Sequence, residues 1–187
     1  MSKKVLIAYG SRFGCTKEVS QKIGNILKDQ GIEPEIVNLR KTKSKNWPKL
    51  DQFDGVLIGS GIKIGRWTKE PKSFMKKNKD VLNSTKVGMF VCSGAAAVDK
   101  NHAQKEYLEK VMNEVGVKAQ VYDAFGGVMD LSEDSPLGFL DKKMLKTGAK
   151  EMTKDSGIEI KDGEKTDFRD WDQITKFAQE FARLVKK

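Results

Sequence analysis

The strongest constraint on this chain is the unbroken apolar run Val5-Leu6-Ile7-Ala8-Tyr9. A strand with one wet face alternates polar and apolar residues, whereas a strand without alternation is covered on both faces. A glycine-containing segment follows, and then residues 16–30, where Val19, Ile23, Ile26 and Leu27 share one helical stripe and Gly31 marks a stop. This strand–helix unit recurs. Residues 35–39 predict a second strand, 56–58 a third between Gly55 and Gly59, 86–92 a fourth and 117–125 a fifth. Residues 70–82 and 101–115 read as helices, the first with Pro71 in its opening turn and the second closed by Gly116. Residues 167–186 carry the clearest helical period, in Trp171, Ile174, Phe177, Ala178, Phe181, Leu184 and Val185. Such alternation predicts an α/β fold: a doubly wound, five-stranded parallel sheet with helices on both faces. Residues 126–166 far exceed a usual connection. They predict an insertion, with a short helix over 137–150, in one domain spanning 1–187.

A chain of 187 residues, 38% apolar, buries a core without disulfides or metals. No segment approaches the roughly 20 apolar residues of a spanning helix. The start turns polar again by Ser11, so no secretory signal is expected. Two cysteines fit a reducing compartment, the cytoplasm. His102, the single histidine, cannot build a histidine metal cluster, and no metal site is expected. The net charge of +9 is uneven: residues 1–100 hold 20 Lys and Arg against 9 Asp and Glu, and residues 101–187 hold 15 against 17. The basic half would suit an acidic partner or an anionic membrane surface, which includes a peripheral place at the inner face of a membrane; it equally suits a solvated lysine surface.

In an open parallel sheet, ligands lie beyond the carboxyl ends of the strands. After the first strand comes Gly10-Ser11-Arg12-Phe13-Gly14-Cys15-Thr16, leading into a helix. Its glycines allow close backbone approach, its hydroxyls offer donors, and the helix N-terminus favours an anion. The Gly-Lys-Ser/Thr ending of a P-loop and the Gly-x-Gly-x-x-Gly spacing of a dinucleotide site are both missing. A receiver-type phosphoacceptor needs acids at the strand ends, and Asp54 stands at the opposite end of the third strand. Cys15 and Cys92 fall near the same strand ends, as buried fillers or as reactive thiols.

The segment Val5 to Val19, a strand followed by Ser-x-x-Gly-x-Thr and a helix, resembles the flavodoxin superfamily. The resemblance implies strand order 2-1-3-4-5 and a bound FMN. It implies that Ser11, Gly14 and Thr16 hold the phosphate, with Arg12, Phe13 and Cys15 supplying backbone N–H groups. Phe13 stands where many flavodoxins carry a hydroxyl. Ser60, Gly61, Ile62, Lys63 and Ile64 match the loop against one face of the flavin ring. Ser93, Gly94 and Ala95 match the loop at the other face, and Gly127 follows the fifth strand. No tyrosine stands in that second loop, which leaves Trp67, Tyr122 and Phe125 as alternatives for a stacking aromatic.

Gly59-Ser60-Gly61-Ile62-Lys63-Ile64-Gly65, Ser73-Phe74-Met75-Lys76-Lys77-Asn78 and Thr166 to Trp171 are similar to one subgroup, the quinone-linked protoporphyrinogen IX dehydrogenases. Those enzymes carry a basic, aromatic-rich insertion; here it opens with Asp130, Glu133 and Asp134. The resemblance therefore implies an FMN-binding redox protein that carries electrons to a redox partner protein or a quinone. The subgroup's reaction, porphyrinogen oxidation in heme biosynthesis, is the alternative. A third reading is a flavin-free basic module with Arg40 to Trp47 as its patch; no nucleic-acid motif accompanies it, and no nucleic acid is expected. Lys63, Arg66 and Lys69 beside the ring loop predict a less strongly reducing flavin. One charge roughly 7 Å away contributes on the order of 2 kcal/mol at an effective dielectric near 20.

Overall fold

A computed structural model describes residues 2–135 and 137–187. Five strands form one parallel sheet in the order β2-β1-β3-β4-β5: β1 Lys3–Gly10, β2 Ile32–Asn38, β3 Gly55–Gly61, β4 Lys86–Ser93 and β5 Val121–Gly126. Successive side chains leave opposite faces of a strand. Val5 and Ile7 of β1 therefore join one core and Leu6 and Ala8 the other.

In chain order the helices are α1 Cys15–Asp29, α2 Lys69–Lys77, α3 Lys79–Asn83, α4 Gly94–Val98, α5 Lys100–Gln104, α6 Lys110–Val115, α7 Phe139–Ser156 and α8 Trp171–Lys186. A π-helical turn, Lys105–Glu109, joins α5 to α6. Helices α1 and α8 cover one face, where Ile23, Leu27, Phe177 and Phe181 meet Val5, Ile7, Leu57 and Phe90. Helices α2, α3 and α6 cover the other, where Phe74, Leu82 and Val111 meet Leu6, Val56 and Met89. The predicted order and layering are thus present.

Several elements differ from the sequence reading. The last helix, expected from 167, begins at Trp171, where the Asp170 carboxylate accepts from the N–H groups of Asp172 and Gln173 and caps it. The helix expected over 70–82 breaks at Asn78 (φ −112°, ψ 20°), whose side-chain amide donates to the Phe74 carbonyl at 2.9 Å instead of letting the turn run on. The fifth strand begins at Val121, because Gly116 turns the chain with φ 69° and Gln120 is the first residue to bond β4, through the Val87 carbonyl. The stretch after β5 holds an unforeseen antiparallel ribbon, β6 Val128–Asp130 with β7 Lys165–Asp167. Its helix runs to Ser156 rather than 150. Met129, Leu131, Ala149 and Met152 give this stretch a small core of its own, packed against Ala97 and Phe168. The crossing from β5 into the ribbon requires glycine: a Cβ on Gly126 would lie 1.9 Å from the Phe168 carbonyl oxygen. At the far margin of the sheet, β2 is an outer strand carrying Pro34 between Glu33 and Glu35.

Candidate functional site

Strand β1 delivers the chain to Gly10, and residues 11–14 turn it into α1. Gly14 has φ 93°, a left-handed conformation that side chains resist. Its N–H donates to Ser11 Oγ at 3.1 Å, which closes the turn. Among the described residues no side chain caps α1, so its first N–H groups and positive dipole end open onto the turn. Thr16 is buried beneath it, with its carbonyl accepting from Ser20 Oγ at 2.7 Å.

Two arginines flank this turn. Arg40 Nη1 donates to the Ser11 carbonyl at 3.1 Å, and its Nε lies 3.8 Å from Glu70. Arg12 Nη1 is buried and has no hydrogen-bond partner among the described residues. Burial, then repulsion from Arg40, pushes the Arg12 guanidinium below its usual range. A buried donor without an acceptor is costly. An anion at the turn would relieve both the orphaned donor and the repulsion.

Strand β3 ends at Gly61, Ile62 follows, and the chain then reverses through Lys63 and Arg66, whose backbones exchange bonds of 3.0 and 3.1 Å. Ile64 stands at the tip, three-quarters exposed, with φ 48°. Lys63 Nζ lies 2.5 Å from Asp141 Oδ1 in the first turn of α7 and 5.5 Å above the Phe13 ring. The ring loop, the phosphate-type turn and the insertion therefore meet at one side chain. Strand β4 ends in Ser93, whose Oγ accepts from Ala96 N at 3.2 Å and caps α4. The segment expected to be a loop here is a helical turn.

These ends enclose a cleft of about 720 Å³, within the range of small-molecule and cofactor sites. Ser11, Arg12, Phe13, Cys15 and Thr16 line it from the first turn, Gly61, Ile62, Lys63 and Ile64 from the second, and Ser93, Gly94, Ala95 and Gly127 from the third side. Two predicted residues stand behind the wall. Gly14 shapes the turn, and Ser60 is fully buried with its hydroxyl committed to Thr68, accepting from its N–H at 2.9 Å and 3.0 Å from its hydroxyl.

The three aromatic alternatives lie elsewhere. Trp67 is buried with its indole N–H on the Tyr107 carbonyl, Tyr122 bonds Glu109, and Phe125 packs in the core against Phe90 and Phe177. Phe13, at 41% exposed, and Tyr107 are the aromatics on the cleft itself. The sequence reading missed the roof: Met129 from β6 and Met144, Leu145, Glu151 and Met152 from α7. The only signal for it was the length of the insertion beside the strand ends.

The fold has counterparts among solved structures. A flavodoxin from the domain Archaea superposes with a TM-score of 0.56 at 14% identity, covering 98% of this chain and 99% of that one. The rubredoxin oxygen:oxidoreductase of Desulfovibrio gigas gives 0.57 at 14% identity, and there this chain spans only 36% of the other's length. By sequence, the chain is 24% identical over 186 residues to the protoporphyrinogen IX dehydrogenase (quinone) of Escherichia coli strain K12, covering 98% of this chain and 97% of that one. The enzyme of the same name from Leishmania major is 25% identical, covering 98% and 76%. The flavodoxin domain family matches residues 6–158. With the sheet order, the Ser11–Thr16 turn and the cleft at the strand ends all agreeing, this chain belongs to the flavodoxin domain family.

Proposed function

We propose that this chain is an FMN-binding redox protein, one domain whose insertion at 126–166 roofs the cofactor. The observation that carries the reading is Arg12 Nη1, buried and without a hydrogen-bond partner among the described residues, beside a helix N-terminus that no described side chain caps, the environment a phosphate dianion satisfies. Ser11 and Thr16 offer hydroxyls to that phosphate, and Arg12, Phe13 and Cys15 offer backbone N–H groups, while the Gly14 N–H stays on Ser11 Oγ and holds the turn in shape. Gly61, Ile62, Lys63 and Ile64 bound one face of the ring, and Ser93, Gly94, Ala95 and Gly127 the other. Bound FMN supplies a group that takes up and gives back one or two electrons. The chain's own part is to orient it and, through the methionines of the roof, to keep water from it.

Its electron partner is a redox protein or a quinone. The Lys63–Asp141 pair cancels one of the charges expected to ease reduction, so Arg66 and Lys69 carry what remains of that effect. The test is direct. FMN fluorescence should quench on titration of the flavin-free protein, and the purified protein should be yellow. A colourless protein that quenches neither FMN nor riboflavin refutes the reading.

A second reading, porphyrinogen oxidation with a quinone acceptor, rests on the similarity that spans 98% of the chain. It is separated from simple electron carriage by following porphyrin fluorescence with and without a soluble quinone. The cleft wall carries both Asp130 and Glu151, which would repel the carboxylates of a porphyrinogen, and Lys165, which would attract them.

A further inference from the structure

Cys15 and Cys92 have no part in holding FMN by their side chains, yet the fold brings them together. Cys15 is the first residue of α1, and Cys92 is the last but one of β4. Cys92 pairs in register with Gly61, and a Cβ on Gly61 would lie 3.0 Å from Thr16 Oγ1. The first turn of α1 thus rests directly on the carboxyl ends of β3 and β4. Both cysteines line the cleft; Cys15 is half-buried and Cys92 is buried.

Their thiols are unlike. Hydrogen bonding to the Cys92 thiol pulls Cys15 below its ordinary value, burial opposes this, and the Arg169 guanidinium adds to the lowering while Asp167 opposes it. The same bond, followed by burial, pushes Cys92 well above the ordinary value. Cys15 is therefore the partly exposed thiol, at a helix N-terminus and shifted toward the thiolate, and it packs against the cluster in which Cys92 lies buried and shifted toward the thiol. That asymmetry distinguishes an attacking from a resolving cysteine.

We propose that Cys15 and Cys92 form a redox-active dithiol that reacts with hydroperoxides. The Cys15 sulfur attacks the terminal oxygen of the hydroperoxide, the O–O bond breaks, and the alcohol (water, for hydrogen peroxide) leaves with one proton. Cys15 is now a sulfenic acid. The Cys92 sulfur attacks the Cys15 sulfur, the S–OH bond breaks, and the hydroxide leaves as water with the Cys92 proton. The two thiols have lost two electrons and the peroxide has gained them. An external dithiol reopens the disulfide by exchange. FMN seated on the Ser11–Thr16 turn covers Cys15, so the reaction is faster in the flavin-free protein.

The test treats the protein with one equivalent of hydrogen peroxide, with FMN saturating and with FMN removed, and blocks remaining thiols with N-ethylmaleimide. Without flavin, the expected result is an intact mass lower by two hydrogens, no maleimide, a Cys15–Cys92 linked peptide and full reversal by dithiothreitol. Cys92→Ala should stop at a sulfenic acid that dimedone traps on Cys15, and Cys15→Ser should react far more slowly. Two alkylatable thiols after peroxide, or oxygen added to the cysteines without a cross-link, or cross-links only between chains, each overturn the proposal. Equal rates with and without FMN, alongside a normal cross-link, overturn only its last clause. A failed cross-link in protein that still binds FMN leaves the flavin reading intact.

Discussion

Replacing Arg12 by glutamine separates what the guanidinium does for the ligand from what it costs the fold. In the free protein Arg12 Nη1 is buried without an acceptor among the described residues, and Arg40 stands near enough to repel it. Leaving a buried donor unpaired costs about 1–3 kcal/mol. The guanidinium is only partly buried, which places its cost near 1 kcal/mol. Arg12→Gln should therefore stabilise the flavin-free protein, by roughly 2–4 °C in melting temperature for a chain of this size.

With FMN present the sign reverses. A charge-assisted hydrogen bond contributes about 1.5–3 kcal/mol, so FMN should bind roughly 10- to 100-fold more weakly. Riboflavin has no phosphate, and its affinity should not move. The assay is fluorescence quenching with both ligands at two ionic strengths, beside a thermal melt of the flavin-free form. Weakening of FMN and riboflavin by the same factor, or a flavin-free variant less stable than the parent, refutes the assignment of Arg12 to the phosphate.

Three further outcomes follow from contacts already described. Asp141→Ala frees α7 from Lys63; that pair is partly exposed and worth about 0.5–1 kcal/mol, so FMN release in stopped flow should quicken two- to fivefold and lose most of its sensitivity to salt. Arg169 is 5% exposed, bonds Asp167 at 2.6 and 2.8 Å and Glu18 at 2.6 Å, and stacks on Trp171. Arg169→Ala should cost about 2 kcal/mol in urea unfolding, the carboxylates being able to return to water. Arg169 holds the Asp167 carboxyl below the ordinary carboxylate value. That stabilisation is complete above the unfolded value near 4 and fades as pH falls through the folded one, so parent and variant should converge in acid. Gly126→Ala sets a methyl group against the Phe168 backbone and should destabilise by about 1–3 kcal/mol, read as a lowered urea midpoint.

What the sequence disclosed, it disclosed through period. The continuous run at Val5–Tyr9 and the stripe from Ile174 to Val185 each report a repeating environment along one element, and both lie where expected. The turn at Ser11–Thr16 was readable because a strand, glycines, hydroxyls and a helix occur in immediate succession. The features that escaped are pairings between distant segments. Strands β6 and β7 have three residues each and meet across the whole length of α7. Lys63 and Asp141 are 78 residues apart. Neither leaves a local pattern. The helix that roofs the cleft buries only a narrow strip, Ala149 and Met152 among its few covered residues, and so shows little amphipathic contrast. Ser60 turns away from the cleft for a related reason: its hydroxyl is occupied by Thr68, a partner a spacing rule does not see.

The two margins of the main sheet carry a consequence for how the molecule behaves in a crowded solution. An open strand edge invites another chain to add to it. Along β2, Pro34 withholds one donor and its two glutamates repel a like neighbour. Along β5, Asp123 gathers Gln104, Lys100 and Gln173 over the backbone. Neither rim offers a clean ladder to a second copy, so a protein whose inner strands are almost wholly greasy is guarded against ribbon-like self-association at just the places where it would begin.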